Sequence, residues 1–243
     1  MPAVGDGSQL EVKIMINESV NYLRESDEVL KTVIIGGLLL LFSFLIIPLF
    51  VLWGYVVRVL DRTMHENDDA PVFDEWGELL VDGVKAAVVM IGYGLVPLVV
   101  GTILVGGVLL TSGGDVGSVG AAGLALAGLV TFALAIAAAY AIPAALANYT
   151  TERTIGAGFD LDTLRPVWTS GTYATRWLLS VVVLLAGSII AGLLNVIPFV
   201  GMVLGAMVSF YALIAAYYII GHTWSELRPV GAAAHELVGE PAV

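Results

Sequence analysis

The chain has no cysteine. That excludes disulfides, thiolate metal centres and cysteine nucleophiles. Charge is also scarce: Asp, Glu, Lys and Arg make up 13% of the 243 residues, against 58% hydrophobic ones. A soluble domain carries about 25% charged residues. This chain has too little polar surface to coat a globule of its size, so lipid supplies part of its solvent. Basic residues are the scarcer sign, 10 against 21 acidic, for a net charge of −11. A nucleic-acid partner needs a basic footprint, and none is expected. The first apolar run follows an acidic leader, residues 1–16, rather than a short basic n-region, so no cleavable signal peptide is expected either.

What is present is long apolar sequence. Residues 32–57, 86–114, 116–151 and 177–221 contain no Asp, Glu, Lys or Arg. About 20 apolar residues cross the hydrocarbon layer as a helix, so these windows hold at least four crossings. Residues 86–110 and 120–147 read as one each, joined by the Gly-rich loop 111–119. The last window is too long for one span. It breaks at Asn195-Val196-Ile197-Pro198, because proline lacks a backbone donor and disfavours helix at the residue before it.

Residues 32–60 could form one kinked helix or a hairpin of two short ones. Arg24 and Lys31 precede this piece, and Arg58, Arg62 and Lys85 follow it. Arg153, Arg165, Arg176 and Arg228 also flank apolar runs, whereas the loop at 111–119 and the turn at Pro198 carry no basic residue. Basic flanks stay on the cytoplasmic side. Lys31 and Arg58 then share a side, and the chain turns back near Pro48. The expectation is an all-α polytopic membrane bundle of about six spans in three hairpins, with both termini cytoplasmic. The membrane domain is 17–221, in repeat-like units 17–60, 71–147 and 159–221, with a tail at 222–243. Each unit opens with a short amphipathic stretch and a basic residue (Lys31, Lys85, Arg176), and two share a Phe-Asp start, Phe73-Asp74 and Phe159-Asp160. Phe73, Trp76 and Leu80 at helical spacing, opposite Asp74, Glu78 and Asp82, predict an interfacial helix. Trp76, Trp168, Tyr173, Trp177 and Trp224 read as interface anchors.

Small residues let helices approach closely in lipid. Gly201, Gly205 and Ser209 repeat every four residues, as do Ala127, Thr131, Ala135 and Ala139. They read as packing faces within the bundle, with a homo-dimer through Gly201 and Gly205 as the alternative. No ionisable residue lies inside a span, which disfavours a proton relay or ion pathway. Asn195 reads as a cap or turn residue. His65, His222 and His235 have no partner at metal-ligand spacing. The acidic group Glu66, Asp68, Asp69, Asp74 and Glu75 lacks the spacing of a calcium loop. No catalytic, cofactor-binding or metal residue is therefore expected, and no cofactor. With three lysines and an excess of carboxylates, the chain looks built for strong brine, where screening shortens the Debye length to about 3 Å at 1 M salt.

The segments Tyr22-Leu23-Arg24-Glu25-Ser26-Asp27, Leu30–Gly37, Gly54–Leu60 and Pro71-Val72-Phe73-Asp74-Glu75-Trp76 resemble the uncharacterised haloarchaeal membrane family called domain of unknown function 4013. Ala147-Asn148-Tyr149 and Gly156–Asp160 are similar to its second half. The resemblance spans about residues 17–221. It implies a polytopic archaeal membrane protein and brings no activity or catalytic residue with it. The function expected is a non-enzymatic membrane scaffold or assembly component, whose partners are lipid, a second copy or another membrane protein. Alternatives are a permease or channel for small neutral or lipidic solutes, and a lipid-modifying enzyme using loop carboxylates with His65 or His222.

Overall fold

The computed structural model describes residues 5–24, 28–67, 69–112 and 117–228. Among them there are helices and no strand. The α-helices are α1 Gly5–Asn21, α2 Val29–Leu41, α3 Ile47–Met64, α4 Trp76–Thr111, α5 Ser118–Glu152, α6 Leu161–Trp168, α7 Gly171–Leu194 and α8 Val200–Leu227. Four of these, α4, α5, α7 and α8, are long and apolar enough to cross a membrane.

Contacts across the helix seams fix the chain directions. Gly36 and Gly37 of α2 face Phe210 and Met207 of α8, while Tyr22, ahead of α2, packs against Tyr218. So α2 runs against α8. Tyr55 and Thr63 of α3 meet Phe210 and Gly221, so α3 runs with α8. Hence α2 and α3 are opposed: residues 32–60 form a hairpin, and Lys31 and Arg58 lie on the same side of the Phe210 level. The reversal is at residues 42–46, where Ile46 takes a positive φ of 65°. Pro48 lies just past the turn, in the first turn of α3, where its missing N–H costs nothing. At 13 and 18 residues, α2 and α3 reach only about 20 and 27 Å.

The other two hairpins follow the same plan. Gly101 faces Thr131 and Gly123 faces Val108, so α4 and α5 are antiparallel. Ser180 donates to the Ala216 carbonyl at 3.1 Å, and Gly205 approaches Ala191, so α7 and α8 are antiparallel too. The break between them falls at Asn195, which caps α7, and α8 resumes at Val200. The third apolar hairpin also supplies the hub of the bundle. In α8, 56% of the most apolar window is buried inside the protein, against 11% in α4, 6% in α5 and 17% in α7.

Three boundaries differ from the sequence expectation. The stretch after Phe73 is not a separate interfacial helix. It is the first three turns of α4, a helix of 36 residues and about 54 Å. Leu79 and Gly83 are buried against α3, whereas Trp76, Val81 and Val84 stay exposed. Residues 1–16, read as a leader, contain most of α1, whose Met15 and Ser19 are buried. The segment 222–243, read as a tail, begins inside α8, which continues to Leu227. Residues 113–116 and 229–243, with Asp115 and His235, lie outside the described residues.

Candidate functional site

The charged side chains of the apolar helices gather toward one end of the bundle: the start of α2, the ends of α3 and α5, the starts of α4 and α7, and the end of α8; α1 and α6 are charged as well, with Glu11, Lys13 and Glu18 on one and Asp162 and Arg165 on the other. The far end, at residues 42–46 and 195–199, has none. Cross-links gather at the charged end. Arg58 of α3 is nearly covered, its side chain 16% exposed. It grips the Asp74 carboxylate, reaches Glu75 at 3.1 Å and lies 3.9 Å from Glu78. One arginine therefore fastens α3 to the entry of α4. Arg153, the αL cap of α5, spans Asp61 at 3.0 Å and Asp82 at 3.4 Å, joining α5 to α3 and α4. Arg176 and Glu226 join α7 to α8. Arg62 donates to the Asp69 carbonyl at 3.0 Å. Exposed pairs of this kind are worth about 0–1 kcal/mol each, and their main effect is register.

Tyrosines do similar work at the same level. Tyr55 donates to the Pro71 carbonyl at 2.8 Å, and Tyr93 to the Gly158 carbonyl at 2.8 Å. Each ring stacks on the phenylalanine that follows its acceptor, Phe73 at 4.2 Å and Phe159 at 5.5 Å. The two Phe-Asp dipeptides are thus held by the same device. Tyr140 donates to Trp168 and Tyr173 to Tyr140, at 2.8 and 2.7 Å.

Phe73 is buried, packed among Tyr55, Trp76 and Phe210, so it is a core plug rather than an interfacial anchor. Asp74 belongs to Arg58, and Trp76 is half exposed. Phe159 is partly exposed over Gly92. Asp160 caps α6: its carboxylate accepts from the Asp162 amide at 3.1 Å and the Thr163 hydroxyl at 2.7 Å. The Thr163 hydrogen bond holds that carboxyl below the usual carboxylate range. Of the expected anchors, Tyr173 and Trp224 are buried in the bundle, and Trp224 donates to Thr151 at 3.1 Å.

Gly201 and Gly205 face α7. A methyl on Gly201 would come within 2.7 Å of the Leu194 carbonyl carbon, and one on Gly205 within 3.1 Å of the Ala191 oxygen. That face is occupied within the chain, so a dimer cannot use it; Ser209 beside it is half-buried. Ala127 and Thr131 pack on α4, whereas Ala135 and Ala139 are exposed. The closest helix approach was not foreseen. It pairs Gly54 of α3 with Gly83 of α4, which sit back to back against the Leu79 and Phe50 carbonyls. The two lie on different helices and share no spacing motif; the only trace in the sequence is one glycine in each of two otherwise bulky stretches.

His65 caps α3, with its Nδ1 2.7 Å from the Asp61 carbonyl and 3.9 Å from the Asp61 carboxylate. His222 stacks on Tyr218. Among the described residues no three His, Asp or Glu side chains form a group able to hold a metal. Cavities are present. A groove of 760 Å³ runs between the outer halves of α4 and α5, past Gly101, Gly106, Gly128, Thr131 and Ala135. A second, of 400 Å³, lies under α6 beside Tyr93, Tyr140 and Trp168. Two more follow α7, 280 and 450 Å³ in volume.

Opposed apolar helices with all their charge at one end define a polytopic helical membrane protein. The chain belongs to the DUF4013 family, described as protein of unknown function, whose model matches residues 38–196. The match starts inside α2 and stops at the turn after α7, so it leaves out α1 and the α8 hub. No curated protein and no solved structure matches the chain.

Proposed function

We propose that this protein is a non-enzymatic component of the cell membrane that works by assembling with another membrane protein or a second copy, with both termini in the cytoplasm. One observation carries the reading: the α4–α5 hairpin is an uncovered arm. Between residues 118 and 143 only Ala127 is buried, and beyond Met90 in α4 only Pro97 and Gly101 are. The arm touches the rest of the chain at its base and presents a groove of small residues outward. Lipid gives helices no hydrophobic drive to associate, so close contact at small residues is what a partner helix would use. The acidic charged face fits a saline cytoplasm, where it would be screened.

The lipid-enzyme reading has less to stand on. His65 and Asp61 do meet, but the imidazole is occupied in capping α3 and the carboxylate is held by Arg153. A solute path would need polar lining through the apolar length, and there the 400 and 450 Å³ cavities offer little beyond tyrosine and tryptophan side chains.

Gly106 and Gly128 have open space where a side chain would go. Gly106→Leu and Gly128→Leu would fill the groove and leave the fold intact. Crosslinking in native membranes should capture a partner or a second copy through α4–α5 in the wild type and lose it in both variants. A wild-type chain that crosslinks to no protein, or that gives solute flux or turnover when reconstituted alone, would overturn the proposal.

A further inference from the structure

Two cavities lie end to end along one face of α7. The first, 280 Å³, is at the charged end and is lined by Glu11, Thr172, Thr175, Arg176 and Glu226. The second, 450 Å³, is lined by Val182, Val183, Ala186 and Ile190, with Val33 of α2 and Val208 of α8 as its other walls. On α7, Leu179 lines the first and Val182 the second; on α1, Met15 lines the first and Ile16 the second. Positions 172, 175, 179, 182, 186 and 190 step by three or four residues and so share one helix face. Residues 171–190 span about 28 Å along the helix.

The chemistry changes along this length. The mouth holds the Thr172 and Thr175 hydroxyls, the Glu11 carboxylate and the mutually paired Arg176 and Glu226, whose pairing leaves guanidinium N–H groups to donate and carboxylate lone pairs to accept. The first turn of α7 has no side-chain cap, and its earliest backbone bond is from Ala174 to Ser170. Beyond Leu179 the wall is wholly apolar apart from the Tyr211 ring, whose hydroxyl donates to the Val20 carbonyl. Val182 and Ile190 at the rim are half exposed, so the inner cavity opens sideways to the bilayer. Together the volumes fall in the usual range for ligand sites, about 300–1,000 Å³. α1 lies across the seam, held at its end by the contact of the Tyr22 and Tyr218 rings, tilted at 41° with centroids 4.7 Å apart.

We propose that this groove holds one membrane amphiphile, with its hydrocarbon chain along Val182–Ile190 and a head bearing several hydroxyls at Arg176, Glu226 and Glu11. Charge decides the head. The mouth has one cation and two carboxylates, a net negative charge that rejects a phosphate. Donors and acceptors side by side match hydroxyls, which do both. The site is separate from the α4–α5 arm, so it stands or falls independently of the assembly reading.

A monoacylglycerol carrying a diazirine near the end of its chain, added to the detergent-purified full chain, tests this. Photolabelling mapped by peptide mass spectrometry should concentrate on residues 182–190 and exceed that on the equally lipid-exposed α4–α5 arm. Ala186 is exposed on the groove wall, so Ala186→Trp fills the cavity without repacking α7 on α8. It should lower groove labelling about tenfold and leave the arm unchanged. Excess unlabelled monoacylglycerol should compete, and the methyl ester of the same chain should not. Equal labelling of groove and arm in the wild type would overturn the site whether or not the variant folds. Equal competition by the ester, or stronger competition by a phosphate-headed analogue, would overturn the head assignment.

Discussion

The Gly54–Gly83 crossing sets how closely α3 and α4 approach, and a single methyl there should be costly. A Cβ on Gly54 would lie 2.6 Å from the carbonyl carbon and 2.8 Å from the Cα of Leu79. Carbon atoms settle at about 3.5–4.0 Å, so the helices must part by about 1 Å. The obstacle is backbone, which has no rotamer to move. Parting them also draws Arg58 away from Asp74 and Glu75. Overpacking of this sort costs about 1–3 kcal/mol. At about 2–4 °C per kcal/mol for a chain of this size, Gly54→Ala should lower the Tm in detergent by about 2–12 °C, read by circular dichroism or by loss of the monodisperse peak on heating. Gly83→Ala should do the same. Gly94 and Gly107 are the controls, since nothing lies within 4 Å of a methyl there, and their alanine variants should match or exceed the wild type. Equal Tm values for Gly54→Ala and Gly107→Ala would refute the reasoning, because burial of the glycine would then not govern the seam.

The absence of native cysteine makes topology directly readable: single cysteines at Asp69, Thr154 and Arg228 should label from one side of sealed vesicles, and those at Phe44 and Val196 from the other; Asp69 and Phe44 on the same side would remove the first hairpin from the membrane. Thr63 is 1% exposed and its hydroxyl has no hydrogen-bond partner among the described residues. Thr63→Val should therefore hold or raise stability, by up to about 1–3 kcal/mol, and a clear fall in Tm would mean that the hydroxyl is satisfied. Asp160's carboxyl is held below its unfolded value by Thr163. Its contribution to seating α6 is complete above the ordinary carboxylate pKa of about 3.9 and is lost as pH falls through the lowered folded value. Tryptophan fluorescence of α6, isolated by replacing the other tryptophans, should shift only in that acid range, and Asp160→Asn should flatten the transition.

The three hairpins were legible because lipid enforces a simple rule on where arginine and lysine can stand. The basic flanks, Lys31 and Arg58 among them, pointed to a first reversal near Pro48, which falls a few residues earlier at 42–46, and Asn195–Pro198 marked the last. What could not be read was which faces meet. A stripe such as Ala127, Thr131, Ala135 and Ala139 is equally small along its length, yet only Ala127 is buried and Thr131 half-buried, while Ala135 and Ala139 are exposed. Gly54 and Gly83 are matched by three-dimensional register, which no local spacing records. Phe73 and Trp76 share one amphipathic pattern, but one is core and the other is half exposed. Periodicity tells an apolar face from a polar one. It does not tell protein from lipid as the thing that covers it, since both are equally oily. The four longest helices are therefore apolar alike, and only the structure singles out α8 as the hub.

That ambiguity bears on function. With no charge inside its spans, the chain has only shape with which to recognise anything in the bilayer core. Several of its charges form cross-links at one end, those of Arg58, Arg153 and Arg176 with their carboxylates. Among the described residues, the interhelical bonds and ring contacts from α5 to α7 and α8 come from residues 139–151, in the half of α5 nearer that end. The result is a base fixed by ion pairs and tyrosines, from which the α4–α5 arm extends with bare small-residue surface. A soluble protein could not leave such surface uncovered. In lipid it costs little, and an arm fixed only at its base is the feature on which the proposed assembly role rests.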